Sequence, residues 1–516
     1  VTEVIDVHRA PGDRPASSGL PPLLRTSDRW TDEMVTAAGI PMRDKPVVTV
    51  GGGIGSFVTV DYLRIAGGLP TSDIQVVSNL SHPWQTYEHL ATVSQIALDD
   101  RIRSDAASRP DNIWGFPSYA VSEAFRKRTL APLMQVLLEP VFADFYTPKL
   151  RAVLESIARE ARRIRYWDML ERGDVEMVRR RAGGGYFVLF ADQRIAEPEH
   201  RVIRCRDVHL AVGYTGLKFL PELQEFRAGM NDFHHVVNAY EDHEHVYHAL
   251  RRRPGTVLVR GGGIVASRVL ERLIRERMDH GLQTRILHVL RTYFSGRHGK
   301  QLWARRRGKD GFAYQGFNYP KSVWGGQLKA EMRKLDPDAR LKVHENIDGT
   351  TTAWRREWQR QLRTARSQGW YRAVNGTFED LRRDGEGVLA RLRTADGTLE
   401  LHADYVIDCT GLNAEVRDHQ VLRDLLDHGG ARMNGLGRID VGREFAVTGA
   451  DSGMGRIYLS GAAALGGPFP GVDTFLGLQI AAQEIVDDMA RRGFCRRMGP
   501  AGALAHWVRW AAGRQI

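Results

Sequence analysis

Only three cysteines, Cys205, Cys409 and Cys495, occur among 516 residues, and they lie far apart. Their scarcity excludes a disulfide framework, a CxxC redox pair and a cysteine-rich metal site, and it points to a reducing cytoplasm as the natural setting. No run approaches the length of about eighteen apolar residues that a membrane span needs. The start, Val1 to Asp6, lacks the basic-then-apolar pattern of a secretion signal. Acidic residues are in deficit, 62 against 73 Lys and Arg, leaving a net charge of +11 that comes mostly from Arg. A basic balance suits nucleic acid or the phosphates of bound cofactors. No nucleic-acid module accompanies it, so phosphate-bearing cofactors are the expected partners and nucleic acid is not. No repeat is visible beyond two glycine-rich units.

Those two units are the most informative part of the chain. The first reads Val47-Val48-Thr49-Val50-Gly51-Gly52-Gly53-Ile54-Gly55-Ser56, and the second Val257-Leu258-Val259-Arg260-Gly261-Gly262-Gly263-Ile264-Val265-Ala266. Each predicts strand, tight turn and helix. The first glycine (Gly51, Gly261) allows the turn, and the next conserves room for a pyrophosphate at the backbone of Gly53 or Gly263. A small residue, Ser56 or Ala266, lets the helix lie close to the strand. Free N–H groups at the helix start, near Ile54-Gly55 and Ile264-Val265, then face the phosphates. Two such units imply two dinucleotides on one chain, the layout of a flavoprotein fed by a nicotinamide. In the second unit, strand 285–290 ends in Arg291, where an NAD-specific site places an acid. A cation there accommodates the 2′-phosphate of NADP, so NADPH is the expected reductant.

The chain divides into four segments. Residues 1–43, rich in Pro, Gly, Ser and charge, read as a mobile N-terminal arm or a strap on the surface. Residues 44–220 hold the first β-α-β unit (strands 47–50 and 74–78), an aromatic loop region from His82 to Arg128, helical patterning through 129–140 and 148–172, and strands at 179–190 and 202–212. Residues 221–400 hold the second unit and a long insertion. Residues 401–516 hold a strand ending in Cys409-Thr410-Gly411, a strand at 456–460, a Gly/Pro loop and a closing helix after about Asp473.

The order Gly-rich turn, Ala211-Val212-Gly213, Gly-rich turn, Cys409-Thr410-Gly411 and C-terminal Gly/Pro loop resembles the flavoproteins with two dinucleotide-binding domains. Within them it is most similar to the single-component flavin monooxygenases, including the amine N-hydroxylases, over most of residues 45–490. That resemblance implies an α/β fold with two Rossmann-like domains, a discontinuous FAD domain and an NADP domain inserted in it. It implies that the chain crosses between domains at Gly213 and Gly411. It also sets Gln95 beside the flavin, and it aligns Gly461 with a family Gly-Asp pair. The flavin ring should lie near Val472, Asp473 and Thr474, where a helix N-terminus stabilises charge on the reduced ring. Asp473 or Thr474 also suits a simple helix cap.

The chain departs from the family in three ways. An acid normally binds the ribose of FAD at the end of the second strand, but Ser78 and Asn79 stand there. Ala462 replaces the acid of the Gly-Asp pair. The Baeyer–Villiger fingerprint is missing, with only Asp232-Phe233-His234-His235 through Tyr240 in its place, which argues against ketone oxygenation.

The loops Trp114–Tyr119 and Asn318–Gly326, with Lys321 and Trp324, are candidates for a substrate wall or for loops pinned by their aromatics. The run Tyr240 to His248 reads as a polar helix start, because no pair of histidines in it has the spacing of metal ligands. The tail 501–516, with Trp507 and Trp510, is expected to dock on its own domain rather than on a membrane. Together these features predict an FAD-dependent, NADPH-reduced monooxygenase that uses O₂ and acts on a small molecule such as an amine or another soft nucleophile. The alternative is a flavin-dependent dehydrogenase, oxidase or reductase without oxygen activation. A third reading is a protein whose flavin is structural. No metal and no protein catalytic residue is indicated, and a homo-oligomer is left open.

Overall fold

Two parallel sheets, one interrupting the other in sequence, organise the molecule. The computed structural model describes residues 19–102, 109–142, 146–192, 199–298, 306–314, 326–347, 352 and 355–516. Val47–Val50 is buried at every position, as a strand covered on both faces must be. It pairs in parallel with Ile74–Ser78 on one side and with Asp207–Leu210 on the other. Ile457–Leu459 then extends the sheet beyond Asp207–Leu210. A strand near the C-terminus thus completes a sheet begun at residue 47. On the far side, Leu170–Arg181 starts parallel to Ile74–Ser78 and continues into an antiparallel meander with Tyr186–Asp192 and Glu199–Cys205.

The second sheet has the order Val236–Asn238, Tyr405–Asp408, Thr256–Arg260, Arg285–Leu290, Tyr371–Asn375, all parallel. Every one of its strands falls in sequence between Asp207–Leu210 and Ile457–Leu459. The architecture is therefore α/β, with a second Rossmann-like unit inserted into a discontinuous first one. In both sheets the strand before the glycine turn has its successor on one side and a later strand on the other. That makes each turn a topological switch point, where open α/β sheets bind ligands at the carboxyl ends of their strands.

Four local features differ from the sequence expectation. Residues 179–190 are two strands, joined by a hairpin at Gly183-Gly184-Gly185. Gly184 and Gly185 have φ of +91° and +78°, and a Cβ on Gly185 would lie 2.4 Å from the Cys205 carbonyl oxygen. The helical pattern expected through residue 172 stops at Arg163, because Arg165 takes a left-handed conformation and a short 3-10 turn leads into the next strand. The expected arm is packed from residue 19 onward. Trp30 is fully buried, its Nε1 donates to the Leu24 carbonyl at 3.0 Å, and Leu20, Leu24 and Val35 cover Phe187 and Leu189 of the meander. Residues 1–18 lie outside the described residues. Finally, Tyr405–Asp408 is a central strand of the second sheet, so the return to the first domain comes after it and not at residue 401.

The helix that follows the first turn, Ile54–Ile65, carries an acid into the core. Asp61 is buried against Glu160, which is itself buried and held by Arg163, whose Nε donates to Glu160 Oε2 at 2.8 Å. Burial, then the charge of Glu160, raises the Asp61 carboxyl well above its ordinary range. Folding therefore favours the protonated form of this acid. The stability this provides is complete below the unfolded carboxyl range and declines as pH rises toward the folded value, by up to about 1.4 kcal/mol per pH unit. Asp61→Asn keeps the shape of the protonated acid and cannot titrate. Its thermal midpoint should fall less steeply than that of the wild type between about pH 5 and pH 8. Parallel slopes in calorimetry would show that Asp61 is ionised in the folded protein.

Candidate functional site

The first glycine turn is built for close approach. Gly51 donates its N–H to the Val77 carbonyl at 2.9 Å. Its φ is +91°, and a Cβ there would sit 2.4 Å from the Ala211 carbonyl oxygen, so only glycine fits. The Ser78 side chain fills the space beside Gly52, where a Cβ would meet its Oγ at 2.5 Å. Ser78 Oγ also accepts the Leu80 N–H at 3.0 Å, whereas Asn79 is exposed. A Cβ on Gly55 would touch Ala211 and Leu478, each at 3.3 Å, which explains why the C-terminal helix Phe475–Arg491 packs so closely on Ile54–Ile65. Ser56 Oγ donates to the Gly51 carbonyl. Gly53 differs from its neighbours. It has ordinary extended backbone, caps the helix with no side-chain hydrogen bond, and a Cβ on it would meet nothing within 4 Å. The free N–H groups of Ile54–Ile65 thus begin beside open space, with the partial positive charge of the helix behind them.

The second turn repeats the plan. Gly261 donates to the Val289 carbonyl at 3.2 Å, its φ is +137°, and its Cβ would lie 2.9 Å from the Cys409 carbonyl oxygen. Cys409 stands to this turn as Ala211 stands to the first. Gly263 caps Ile264–His280, again without a side-chain bond; Val265 is buried and Ile264 half-buried. His288 locks the turn from below. Its Nε2 lies 2.5 Å from the Gly261 carbonyl and its Nδ1 2.8 Å from the Tyr371 hydroxyl. A carbonyl only accepts, so the ring proton is on Nε2 and Tyr371 donates to Nδ1. Burial lowers the His288 pKa to about 4, so the ring is neutral at pH 7. Two cations flank the turn. Arg291 is exposed immediately beyond strand Arg285–Leu290. Arg260 is 8% exposed, its Nε has no hydrogen-bond partner, and burial lowers its pKa.

Between the turns the chain crosses twice. Gly213 and Gly411 both have positive φ, +75° and +120°. The segments after them pair as a short ribbon, with Thr215 N donating to the Asn413 carbonyl at 2.9 Å and Lys218 N to the Gly411 carbonyl at 3.2 Å. Asp408, buried at the end of its strand, accepts the N–H groups of Leu220 and Thr410, each at 3.0 Å, and so fixes both crossings.

The C-terminal loop closes the edge of the first sheet. Gly461 (φ +84°) has open space where a Cβ would stand, and Val472 is buried. Thr474 is the helix cap, accepting the Gly477 N–H at 3.0 Å and donating to the Gly471 carbonyl at 2.7 Å. Asp473 does not cap; it accepts the Tyr214 hydroxyl at 2.5 Å. Tyr87 and Phe475 pack with ring centres 5.3 Å apart, and burial pushes the nearby Tyr240 hydroxyl up to about 12. These rings and Asp473 form an aromatic cluster with one carboxylate. Gln95, in left-handed backbone, lies at the contact between the two domains. Its Oε1 accepts from Arg272 of helix Ile264–His280, and Arg272 also pairs with Glu244 and lies 3.7 Å from the Tyr247 ring centre.

The sequence-predicted residues thus gather in three places. Gly51, Gly53 to Ser56, Ser78, Asn79, Gly213, Gly461 and Val472 to Thr474 line the carboxyl edge of the first sheet. Gly261, Gly263 to Val265, Arg291 and Gly411 line that of the second, and Gln95 joins the two. Sequence reading passed over Arg260 and His288, although a charge ending a buried strand and a histidine inside another are visible signals. It had no means of finding Tyr214 and Asp473, or Arg272 and Gln95, because each pair meets only in three dimensions.

Other expectations change. The aromatics of the loop Trp114–Tyr119 do not join that aromatic cluster. Trp114 and Phe116 pack on Trp510 and Trp507 at 5.7 Å, and Trp510 Nε1 donates to the Asp111 carbonyl at 3.0 Å. The aromatics pin the last helix, Pro500–Ala511, to its own domain. Lys321 and Trp324, on the second candidate wall, lie outside the described residues. In the run 240–248, Glu241 is paired with Arg227 at 2.6 Å, and among the described residues no group of three or more ligands could hold a metal.

No family model matches the chain, and no curated protein matches it in sequence. Solved structures do match in fold. The cadaverine monooxygenase of Erwinia amylovora, bound to FAD, superposes with a TM-score of 0.63 at 11% identity, over 88% of this chain and 96% of that one. An ornithine N-hydroxylase from Kutzneria sp. 744, with reduced FAD, NADP⁺ and L-ornithine, gives 0.61 at 14% identity over 87% and 100%. The ornithine hydroxylase of Pseudomonas aeruginosa gives 0.60 at 14% identity over the same shares. The fold is therefore that of the two-domain flavoprotein monooxygenases. At such identities the likeness is one of architecture, and function must be argued from the site.

Proposed function

We propose that this chain is an FAD-dependent, NADPH-reduced monooxygenase acting on a small molecule, an amine or another soft nucleophile, with O₂ as co-substrate. The observation that carries this reading is the pair of glycine turns built alike at the switch points of two parallel sheets, with open space at Gly53 and a buried, incompletely bonded cation at Arg260. The backbone N–H groups after Gly53 would hold the FAD pyrophosphate. Asn79 would meet the ribose by an uncharged hydrogen bond, since no acid is present there. The N-terminus of Phe475–Arg491, set by Thr474, would face the ring and favour negative charge on it. The turn at Gly261, with Arg291 and Arg260 beside it, would hold NADPH. Bound flavin supplies the redox and oxygen chemistry. The protein's part would be to position the substrate beside the Tyr87, Tyr240, Phe475 and Asp473 cluster and to exclude water there. Asp473 would offer a carboxylate to a cationic amine. The amine substrates named for the proteins of similar fold support the same class. Three unpaired thiols suit a cytoplasmic setting.

Reconstitution tests the cofactor part of the reading directly. Protein mixed with FAD and freed of excess should be yellow, and anaerobic NADPH should bleach it faster than NADH does. Protein that holds no flavin, or flavin that neither nucleotide reduces, would overturn the assignment.

A further inference from the structure

We propose that the hairpin formed by helices Ser118–Lys127 and Ala131–Phe142 is a docking surface for an anionic phospholipid bilayer. The second helix is apolar on the side it should show to water. Leu130 is 70% exposed, Met134 45%, Leu137 70% and Leu138 38%, and Phe125 at the end of the first helix is 80% exposed. Positions 130, 134, 137 and 138 recur with the period of one helix face. Leu133 and Val136, along the flank of the stripe, are the apolar side chains of this helix that pack on the core of the first domain, so the exposed positions are surplus to folding.

The charge at the turn that opens the stripe has one sign, and the first acid in sequence after it is Glu139. Arg126, Lys127 and Arg128 are exposed at the turn, and no acidic residue occurs from Ala124 to Leu138. The nearest acid before it, Glu123, is buried and occupied: it accepts from Arg101, from Lys127 at 2.7 Å and from the Tyr146 hydroxyl at 2.6 Å. Arg126 and Arg128 have no ion pair among the described residues. An apolar stripe of about three turns with cations at its end is the chemistry that enters the headgroup region of an anionic leaflet. No helix of the described residues is long and apolar enough to cross a membrane, so the hairpin would lie on the surface. A second copy seated on the same stripe is the competing occupant, and the oligomeric state of the wild type and of Leu137→Ser separates the two.

Co-sedimentation of the flavin-loaded full chain with vesicles tests the inference. Vesicles of phosphatidylcholine with about 30 mol% phosphatidylglycerol should bind it roughly tenfold better than phosphatidylcholine alone, and added salt should weaken the binding. Leu130→Glu with Leu137→Glu should abolish it, and Arg126→Glu with Arg128→Glu should remove the preference for anionic lipid. Leu137→Ser, a milder change at an exposed position, should weaken binding while leaving the thermal midpoint and NADPH reduction of the flavin as in the wild type. Absence of binding to either vesicle, or binding that these variants leave unchanged, would overturn the proposal. So would a wild-type oligomer that Leu137→Ser converts to a monomer, because the stripe would then be a contact between copies.

Discussion

Gly53→Val should give a folded but colourless protein. The expectation rests on what separates Gly53 from Gly51. A side chain at Gly51 collides with the Ala211 carbonyl and forces a φ of +91° on a branched residue, so loss of flavin there would report a broken turn. Gly53 has ordinary φ, and a Cβ there meets no protein atom within 4 Å. At its Cβ a valine here meets no protein atom, so the cost to the apo protein is the weaker capping preference of valine, on the order of 1 kcal/mol or less. It occupies the space where a pyrophosphate would approach the N–H groups of Ile54–Ile65, and blocking two charge-assisted contacts costs on the order of 3 kcal/mol or more, about a hundredfold in affinity. The thermal midpoint of the apo variant should stay close to that of the apo wild type while flavin absorbance is lost. Full flavin occupancy in Gly53→Val would place the cofactor elsewhere, and a collapsed midpoint would show that the space is needed by the fold itself.

Arg291→Ala should separate the two nicotinamides. Arg291 is exposed just past the second strand of its sheet, the position that meets the ribose 2′ group in such folds. One guanidinium–phosphate contact contributes about 1.5–3 kcal/mol, so KM for NADPH should rise roughly ten- to a hundredfold while KM for NADH stays nearly constant. Solvent screening places the expectation toward the lower end. Arg260→Met is the informative companion. Arg260 is buried beside the turn, nearer the position of a pyrophosphate that both nucleotides carry, and its loss should weaken the two alike. Equal losses with Arg291→Ala would assign that side chain to the shared part of the cofactor, and a wild type that prefers NADH would remove the 2′-phosphate argument altogether.

Much of this framework is legible from a few residues. Val47 to Ser56 and Val257 to Ala266 declare strand, turn and helix, because β-branched runs, glycines and small residues leave few alternatives. The insertion of one sheet in the other could be read only through resemblance, since pairing of Asp207–Leu210 with Ile457–Leu459 spans some 250 residues with no local signal. Gly183-Gly184-Gly185 is readable as a turn, but the basic run Arg179-Arg180-Arg181 before it and the apolar run Tyr186 to Phe190 after it suit a strand equally well, and only the antiparallel pairing of the two shows the reversal. Trp114 and Phe116 show the opposite failure. Aromatics on a Pro/Gly loop fit a pocket wall and a pinned tail equally well, and only the position of Trp507 and Trp510 decides. The cluster of Tyr87, Tyr214, Tyr240, Asp473 and Phe475 joins four distant segments, so no spacing could announce it.

The central claim is that this protein puts oxygen into a soft nucleophile instead of merely moving hydride. The most direct measurement is parallel stoichiometry in the FAD-loaded enzyme, supplied with NADPH and a panel of primary amines: NADPH oxidised, O₂ consumed, peroxide released and hydroxylamine formed. The account predicts an amine with which one NADPH and one O₂ yield one hydroxylamine and little peroxide. Slow reoxidation that gives only peroxide with every amine, together with rapid turnover on a non-oxygen electron acceptor, would contradict it and identify a dehydrogenase or reductase.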